Sequence, residues 1–525
     1  MPVRDAADIV LINPRFEASY WGLERALPFF GKRTAMPVAS LPLLAALTPA
    51  EHRVRIVDEN VEPLDFDRLA RADIVGLTGM SVQRARMREI LTELGRRGVF
   101  TVVGGPWVSV NETYFGPLAR TIFVGEAEET WPRFLSDWRR GAPGCRYEQT
   151  ARTDMTQVPV PRYELLDMKQ YLFGSIQFSR GCPFQCEFCD IIVTFGRRPR
   201  LKSAAQILRE LDALHARGME IVFIVDDNLI GNKKALLPLL ESVRAWQEAH
   251  GFPFIFVTEA SLDLAEDEAL MRLMVDVNIL SVFVGIETPN EASLIETKKH
   301  QNVKNGRTLV DRVRRVQEAG LEVWSGMILG FDHDDEAIFD AQREFLREAH
   351  IAQAMIGMLY AIPKTPLHAR LAAAGRLDPD DDSPFGTNVI PARFSREALR
   401  DGYVRLMQEV YDPDAYFARL GAGLGDPAMP FAPARARYWR RHPIARVRGQ
   451  AWNLARAAAL YARLMLRVDN AKLRRRYGRE VARQLRRHRD PGRLFGYLVR
   501  CALHYHHYTL AQQMAQHQRS VINSF

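Results

Sequence analysis

Short, mostly apolar runs alternate with helical stretches along most of the chain, and this alternation limits the folds that the sequence can adopt. Five such runs lie within the first third, each ending in or beside glycine, proline, asparagine or aspartate: Ile9–Ile12, Arg53–Val57, Ile74–Leu77, Phe100–Val103 and Thr121–Val124. Apolar strands joined by helices form a parallel sheet with both faces covered. The pattern predicts an α/β fold in which residues 1–145 form a doubly wound, Rossmann-like domain.

A second αβ series follows a proline-containing linker at residues 146–173. Six strand candidates with helical stretches between them lie within residues 174–375, and they predict a partial (β/α)6 barrel rather than a closed eight-stranded one. Residues 376–430 are expected to form a small cap with a helix at Ser395–Glu409, and residues 431–525 a basic helical region. The chain lacks the apolar pattern of a membrane-spanning helix or a signal peptide, so a cytoplasmic protein is the simplest interpretation.

The strand ends of the first domain offer one edge to a ligand, because the crevice of an open parallel sheet lies outside the carboxyl ends of its strands. Gly104 and Gly105 follow one strand and would let a ligand approach the backbone closely. The turns are either ordinary strand-to-helix connections or the binding edge for a nucleotide-sized or larger ligand.

Three of the five cysteines fall within eight residues. Cys182, Cys186 and Cys189 form a C-x3-C-x2-C motif directly after a strand, whereas Cys145 and Cys501 stand alone and are interpreted as ordinary thiols. An odd count argues against a disulfide framework and favours metal or redox chemistry. Three thiolates can bind three irons of a [4Fe–4S] cluster and leave the fourth iron open, as in a catalytic site. The alternatives are a three-cysteine zinc site or chance spacing.

The cysteine motif after the first strand of a partial barrel resembles the radical S-adenosylmethionine (SAM) superfamily. The resemblance implies that the open iron binds SAM, that an electron from the cluster cleaves SAM to a 5′-deoxyadenosyl radical, and that this radical takes hydrogen from an unactivated carbon. It also implies SAM contacts by Phe188, the aromatic residue between the last two cysteines, and by residues at the barrel rim, namely Asp226, Asp227, Glu259, Glu287 and Gly330. Each rim residue could instead be an ordinary hydrogen-bonding group.

A doubly wound domain before such a barrel resembles the cobalamin-binding class of radical SAM enzymes, in which the corrin lies between the two domains. The first domain lacks the D-x-H-x-x-G motif that supplies a lower histidine ligand, and its single histidine is His52. A flavodoxin-like domain without a corrin is the alternative. The cobalamin contacts that the resemblance implies are Asn13, Thr78, Gly79, Ser81, Gly104, Gly105, Gly125 and Glu126.

Several segments from residue 174 to about residue 420 resemble a subgroup with an extra domain of the DUF4070 kind after the barrel, which includes the hopanoid C-2 methylases. These segments are Ser179–Asp190, Phe223–Lys234, Thr258–Asp267, Gly326–Asp332, Tyr360–Pro366 and Gly386–Pro391. The implied activity is methylation of an unactivated lipid carbon, with a hopanoid as the candidate, supported by an external electron donor of the flavodoxin or ferredoxin type. The alternatives are a radical SAM cyclase or oxidase, or an enzyme that modifies peptides or tRNA.

The C-terminal region carries a strong positive charge. Residues 431–525 hold 21 Lys and Arg against 3 Asp and Glu, a net charge of +18, whereas the whole chain has +8. Leu460, Leu464 and Val468 recur at helical spacing among arginines and predict an amphipathic basic helix that could lie on the inner face of the cell membrane. A solvated helix face is one alternative and nucleic-acid binding is the less favoured one. A histidine cluster is interpreted as a surface feature: His504, His506 and His507.

Overall fold

The computed structural model describes residues 6–303, 306–378, 385–423, 432–516 and 523. Two parallel six-stranded sheets and a C-terminal group of helices make up this part of the chain. None of the helices in these ranges is long and apolar enough to cross a membrane.

Six strands form the first sheet: β1 (Asp8–Asn13), β2 (Arg53–Asp58), β3 (Ile74–Thr78), β4 (Thr101–Gly104), β5 (Thr121–Val124) and β6 (Arg146–Glu148). Its helices are α1 (Leu27–Phe30), α2 (Ser40–Leu47), α3 (Phe66–Leu69), α4 (Arg84–Arg96), α5 (Pro106–Val110) and α6 (Thr130–Arg139). The strand order is β2-β1-β3-β4-β5-β6, the flavodoxin-like form of a doubly wound sheet, so the predicted fold class is confirmed. β6 lies in the segment expected to be a linker, and its three residues are too few for a strand pattern.

Both faces of this sheet are buried, as β1 shows. Val10 and Ile12 pack into the apolar cluster beneath α4, whereas Ile9 and Leu11 pack into the cluster beneath α2 and α6. Successive side chains of a strand point to opposite faces, so a continuous apolar run satisfies both layers at once.

The second sheet is also parallel: β7 (Gly174–Ile176), β10 (Ile221–Ile224), β11 (Ile255–Glu259), β12 (Ile279–Glu287), β13 (Glu322–Leu329) and β14 (Ala354–Met358) are neighbours in that order. A short antiparallel pair, β8 (Ser179–Arg180) and β9 (Arg200–Leu201), stands apart from it. The helices of this part are α7 (Ile191–Thr194), α8 (Ala204–His215), α9 (Lys233–Ala249), α10 (Glu268–Asp276), α11 (Glu291–Glu296), α12 (His300–Val303), α13 (Leu309–Glu318), α14 (Ala337–Glu348) and α15 (Pro366–Ala373). Six parallel strands joined by helices confirm the predicted partial barrel.

Among the described residues, six helices follow the barrel: α16 (Arg396–Val410), α17 (Pro413–Gly423), α18 (Pro433–Arg441), α19 (Pro443–Arg467), α20 (Ala471–Arg487) and α21 (Pro491–Gln516). The helix expected at Ser395–Glu409 is α16, and the Ser395 side chain caps it by accepting a hydrogen bond from the Ala398 N–H. One apolar cluster runs from the barrel into α16, α19 and α21, so these helices share the barrel core. Parts of the expected cap and of the basic region lie outside the described residues.

The amphipathic stripe of α19 faces the protein. Leu460, Leu464 and Val468 are buried. Arg463, on the same helix, donates to the Phe29 carbonyl at 2.8 Å. The interpretation of this stripe as a membrane-facing surface is therefore wrong, because tertiary packing uses it to attach α19 to the barrel and to α1.

The histidine cluster is buried in α21, so its interpretation as a surface feature is also wrong. His504 Nδ1 lies 2.8 Å from the Tyr477 hydroxyl, and its Nε2 lies 3.0 Å from the Tyr411 carbonyl. Burial lowers the pKa of His504 to about 3 and that of His506 to about 4, so both rings are neutral near pH 7. The histidines are structural polar groups of the helix packing.

Candidate functional site

The cysteine motif lies on a closed loop at the carboxyl ends of the barrel strands. β8 and β9 pair at its base, and the chain between them holds Cys182, Cys186 and Cys189. Gly181 has a φ of +101°, and a Cβ atom there would lie 2.9 Å from the Gly196 carbonyl oxygen, so only glycine permits this approach. The Cys182 N–H donates to the same carbonyl at 3.2 Å and closes the loop.

Two acidic residues after β10 hold the base of this loop. The Asp226 carboxylate accepts hydrogen bonds from the Phe178 N–H at 2.7 Å, the Ser179 N–H at 2.8 Å and the Ser179 hydroxyl at 2.6 Å. Asp227 Oδ2 accepts from the Gly181 N–H at 2.7 Å. Asp226 was expected to contact SAM, but both of its oxygens are used within the chain, and its role in the structure is to position the cysteine loop.

Glu259, at the end of β11, completes a group of three carboxyl groups, of which Asp226 is buried and Asp227 and Glu259 are half-buried. Burial, together with the negative charges of Asp227 and Asp226, raises the pKa of Glu259 to about 8. Burial likewise raises the pKa of Asp226 to about 7 and that of Asp227 to about 6. Buried carboxyl groups that crowd in this way favour a positively charged ligand, since its charge lets them ionise. SAM is a sulfonium cation, so the electrostatics of this edge suit it.

Two amide side chains donate toward the cysteine sulfurs. Gln301 Nε2, on the short helix α12, lies 3.6 Å from Cys186 Sγ. Asn228 Nδ2 lies 3.9 Å from Cys182 Sγ and 3.0 Å from the Ser261 hydroxyl, which holds it in place. Hydrogen bonds to sulfur stabilise the added negative charge of a reduced cluster. Sequence reasoning missed Gln301, since α12 is distant in the chain and carries no motif.

A buried ion pair closes another side of the site. Lys299 Nζ lies 2.6 Å from Glu287 Oε1 and 5.9 Å from the centre of the Phe188 ring. Glu287 was expected to contact SAM, but in the structure its carboxylate is paired with the Lys299 ammonium. Phe188 packs beside Phe331, with ring centres 6.0 Å apart, and Gly330 has a φ of +99° at the end of β13.

The donor set fits an iron–sulfur cluster better than a single ion. In the described ranges, no group of three or more His, Cys, Asp and Glu side chains is arranged to hold one metal ion. The ligands of a zinc ion all lie about 2.0–2.3 Å from it, whereas each cysteine of a [4Fe–4S] cluster binds its own iron and the sulfurs stand farther apart. Burial raises the pKa of the Cys182 and Cys189 thiols, so a bound cation is needed to keep them as thiolates.

The first domain presents its strand-end turns to the mouth of the barrel. The Lys364 ammonium, in the loop after β14, donates to the Ser109 carbonyl of α5 at 2.7 Å and to Glu112 at 3.0 Å. Tyr360 and Ile362, from the same loop, pack against the apolar core of the first domain. The carboxyl edges of the two sheets therefore lie close to each other.

Most residues expected to contact cobalamin lie in tightly packed turns at this edge. Asn13 Oδ1 accepts from the Gln83 amide at 2.9 Å. A Cβ atom on Gly105 would lie 2.3 Å from Thr78 Oγ1, so only glycine lets these two turns meet. The remaining expected residues in the same turns are Gly79, Ser81, Gly104 and Gly125.

Glu126 joins the first domain to the cysteine loop through a buried ionic network. Its Oε1 atom lies 2.9 Å from both Arg180 Nη1 and Arg200 Nη2, and its Oε2 atom accepts from the Thr153 N–H at 3.0 Å. Glu128 Oε1 lies 2.6 Å from Arg180 Nη1. Glu126 was expected to contact cobalamin, but its carboxylate is occupied by these partners. Arg180 immediately precedes Gly181 of the cysteine loop, so the network anchors that loop to the first domain.

Comparison with known proteins agrees with this geometry. The profile of the radical SAM superfamily matches residues 176–344, and that of a domain of unknown function, DUF4070, matches residues 365–520. An uncharacterised methyltransferase of Synechocystis sp. is 40% identical over 79% of this chain and 79% of that protein. The hopanoid C-2 methylase of Rhodopseudomonas palustris is 34% identical over 88% of this chain and 86% of that protein.

Solved structures share the fold. The cobalamin-dependent radical SAM enzyme OxsB with aqua-cobalamin bound superposes with a TM-score of 0.59 at 14% identity, covering 95% of this chain and 84% of that one. The radical SAM methyltransferase TsrM from Kitasatospora setae, with cobalamin and a [4Fe–4S] cluster bound, superposes with a TM-score of 0.56 at 17% identity, covering 71% of this chain and 76% of that one. Fold and site together define a radical SAM enzyme. The chain belongs to the family of radical SAM methyltransferases that carry a DUF4070 domain after the barrel.

Proposed function

We propose that this protein is a cobalamin-dependent radical SAM methyltransferase that adds a methyl group to an unactivated carbon of a lipid, with a polycyclic hopanoid as the first candidate. The observation that carries the proposal is the placement of the cysteine loop opposite the strand-end turns of a flavodoxin-like domain. The 34% identity to the hopanoid C-2 methylase supports the substrate class.

The residues of the site have distinct tasks. When bound, the [4Fe–4S] cluster, SAM and cobalamin supply the electron, the hydrogen-abstracting radical and the methyl group. The three cysteines hold the cluster, and the Asp226 carboxylate fixes the backbone from which their loop starts. Asp227 and Glu259 provide negative charge where the SAM cation binds, and the buried pair of Lys299 and Glu287 closes the site beside Cys186. An external electron donor of the flavodoxin or ferredoxin type completes the system.

Cobalamin is proposed to lie between the turns of the first sheet and the barrel mouth. His52 lies at the amino end of β2, on the opposite edge, where its Nδ1 accepts from the Ala7 N–H at 3.0 Å. The proposed corrin site therefore has no histidine from the described first domain beside it, and the cobalt would be held without a lower histidine ligand.

The cluster is tested with two single-cysteine variants that differ only in position. Cys186→Ala removes a thiol from the motif, whereas Cys145→Ala removes an exposed thiol on the loop before β6. After anaerobic reconstitution, we expect Cys186→Ala to lose the iron–sulfur absorption and SAM cleavage while Cys145→Ala keeps both. Retained SAM cleavage by Cys186→Ala would refute the assignment.

The reaction and its substrate are tested by lipid profiling of a deletion strain and of the strain complemented with each cysteine variant. We expect a lipid lighter by about 14 Da to replace its methylated form in the deletion strain, and only Cys145→Ala to restore methylation. A product lighter by about 2 Da than its substrate would assign the enzyme to oxidation or cyclisation instead. An unchanged lipid profile would overturn the lipid assignment.

A further inference from the structure

The outward face of α19 is unusually apolar for a surface helix. Ile444, Val447, Trp452, Leu454 and Leu466 are between 55% and 82% exposed. Isolated exposed apolar residues are ordinary on protein surfaces, but five large ones on one helix form a continuous patch. They lie on the side of the helix that is opposite to the buried stripe.

At about 100° per residue, these side chains spread over roughly 160° of the helix circumference, with Leu454 on one flank and Trp452 on the other. Exposed alanines fill the spacing between them, namely Ala451, Ala455, Ala458 and Ala462. At 1.5 Å per residue, the stretch from Ile444 to Leu466 is about 33 Å long. The buried residues Ala457, Leu460 and Leu464 occupy the other side, so α19 has two apolar faces, and the described residues cover only one of them. We call the exposed side of the helix, with these residues, the α19 outer face.

Basic helices border this face on both sides. On one side α18 packs through Trp439, whose ring would lie 2.4 Å from a Cβ atom on Gly449 of α19. On the other side α20 packs where Gly478 comes close to the Tyr461 hydroxyl. The exposed arginines on α18, α19 and α20 are Arg437, Arg440, Arg441, Arg446, Arg448, Arg463, Arg467, Arg475, Arg479, Arg483, Arg486 and Arg487.

Few of these arginines are neutralised locally. Among the described residues, Arg440, Arg441, Arg448, Arg475 and Arg479 have no acidic side chain within ion-pairing distance, unlike Arg437, which pairs with Asp276. An apolar face bordered by unpaired guanidinium groups combines the two features by which an interfacial helix binds an anionic bilayer: apolar side chains enter the acyl boundary, and cations contact the headgroups.

We propose that the α19 outer face binds the surface of an anionic phospholipid bilayer, with α19 lying parallel to the membrane plane. A second copy of the chain is a poorer occupant, because a two-fold interface through this face would bring two basic borders together. Nucleic acid is poorer as well, since the alanine, valine, leucine and isoleucine side chains of this face offer no hydrogen bonds to phosphates and only the Trp452 indole N–H is a donor. The proposal stands independently of the reaction, although a membrane position would bring the enzyme to the lipid proposed as its substrate.

The test is flotation of the full-length reconstituted protein with vesicles of phosphatidylcholine alone or of phosphatidylcholine mixed with phosphatidylglycerol. The test variant is the double substitution Trp452→Glu and Leu454→Glu. Leu237→Glu is the matched control, because Leu237 is an exposed apolar residue on α9 of the barrel. A second variant, Arg475→Gln with Arg479→Gln, removes charge from the border without changing the apolar face.

We expect the wild type and Leu237→Glu to float with the anionic vesicles and not with the neutral ones. The Trp452/Leu454 variant should bind at least about tenfold more weakly, and the arginine variant should bind more weakly and with less dependence on salt. Unchanged iron content and SAM cleavage in the variants show that they fold, so loss of flotation is separate from loss of function. Equal flotation of all variants, or no flotation of the wild type, would overturn the proposal. So would a wild-type dimer that the Trp452/Leu454 variant converts to a monomer.

Discussion

The ionic network between the first domain and the cysteine loop gives the sharpest prediction. Arg180→Met keeps the volume and apolar stem of the side chain but removes its charge. Glu128 then loses the guanidinium that lies 2.6 Å away, whereas Glu126 keeps Arg200 as a partner. Arg180, Glu126 and Glu128 have side chains that are at most 10% exposed, so water cannot replace the lost partner.

The magnitude follows from this burial. Removing one partner of a buried ion pair destabilises a protein by about 3–5 kcal/mol, because an uncompensated charge remains. We expect the lower end, about 3 kcal/mol, since one of the two carboxylates keeps an arginine. For a domain of roughly 150–250 residues, 1 kcal/mol lowers the melting temperature by about 2–4 °C. The Arg180→Met variant should therefore melt about 6–12 °C below the wild type.

Differential scanning calorimetry under anaerobic conditions measures the effect, with Arg162→Met as the control. Arg162 also pairs with a glutamate, Glu164, but both side chains are at least 40% exposed, so its loss should cost at most about 1 kcal/mol. Adding Glu128→Gln to Arg180→Met removes the orphaned charge and should restore part of the stability. If Arg180→Met melts within about 2 °C of the control, the network does not stabilise the domain contact.

The same network has a defined pH dependence. Burial acts to raise the pKa of Glu126, but hydrogen bonds from the Thr153 N–H, Arg200 and Arg180 outweigh it and leave the pKa below its usual value. Because the folded-state pKa is depressed, the contribution to stability is present above the unfolded-state pKa and is lost as the pH falls through the folded-state value.

Three further variants test the site. In Asp226→Asn an amide group faces backbone N–H donors, so the cysteine loop should be destabilised by about 2–3 kcal/mol. The variant should therefore lose iron to a chelator faster than the wild type does, and equal rates of iron loss would contradict the anchoring role. Gln301→Leu removes a donor to Cys186 and should make the midpoint potential of the cluster more negative, measured by redox titration with electron paramagnetic resonance, with an unchanged potential as the contrary result. Glu259, with a pKa of about 8, becomes an anion as the pH rises through that value, so the affinity for SAM should increase over that range in the wild type and stay flat in Glu259→Gln. A parallel increase in both proteins, measured by equilibrium dialysis, would remove Glu259 from the SAM site.

The elements with a local signal could be predicted well. The five strands of the first domain and the six of the barrel are mostly apolar runs, and such runs satisfy both layers of a parallel sheet whatever lies around them. The strand β6 was missed because a three-residue edge strand has no periodicity to detect. The three cysteines were identifiable because their spacing alone places them on one short loop.

The partners of buried polar groups could not be predicted. Glu126 and Asp226 were expected to face ligands because each follows a strand at the right edge. In the structure their carboxylates are paired with donors from distant parts of the chain. The position of a residue at a strand end does not indicate which donors the fold will bring to it. Gln301 had no sequence signal for the same reason, since its contact with Cys186 spans 115 residues.

The sequence by itself therefore determined the two parallel sheets, the cysteine loop and the basic character of the C-terminal region, since periodicity, spacing and composition are local properties of the chain. Only the tertiary structure decided which apolar side of α19 is covered, that the three histidines of α21 are buried, and that Glu126 joins the two domains. A helix with apolar residues on two sides can pack through either one, and burial in α21 depends on helices that meet it from distant parts of the chain. The choice is made by the free energy of the whole packed core, which no single segment encodes.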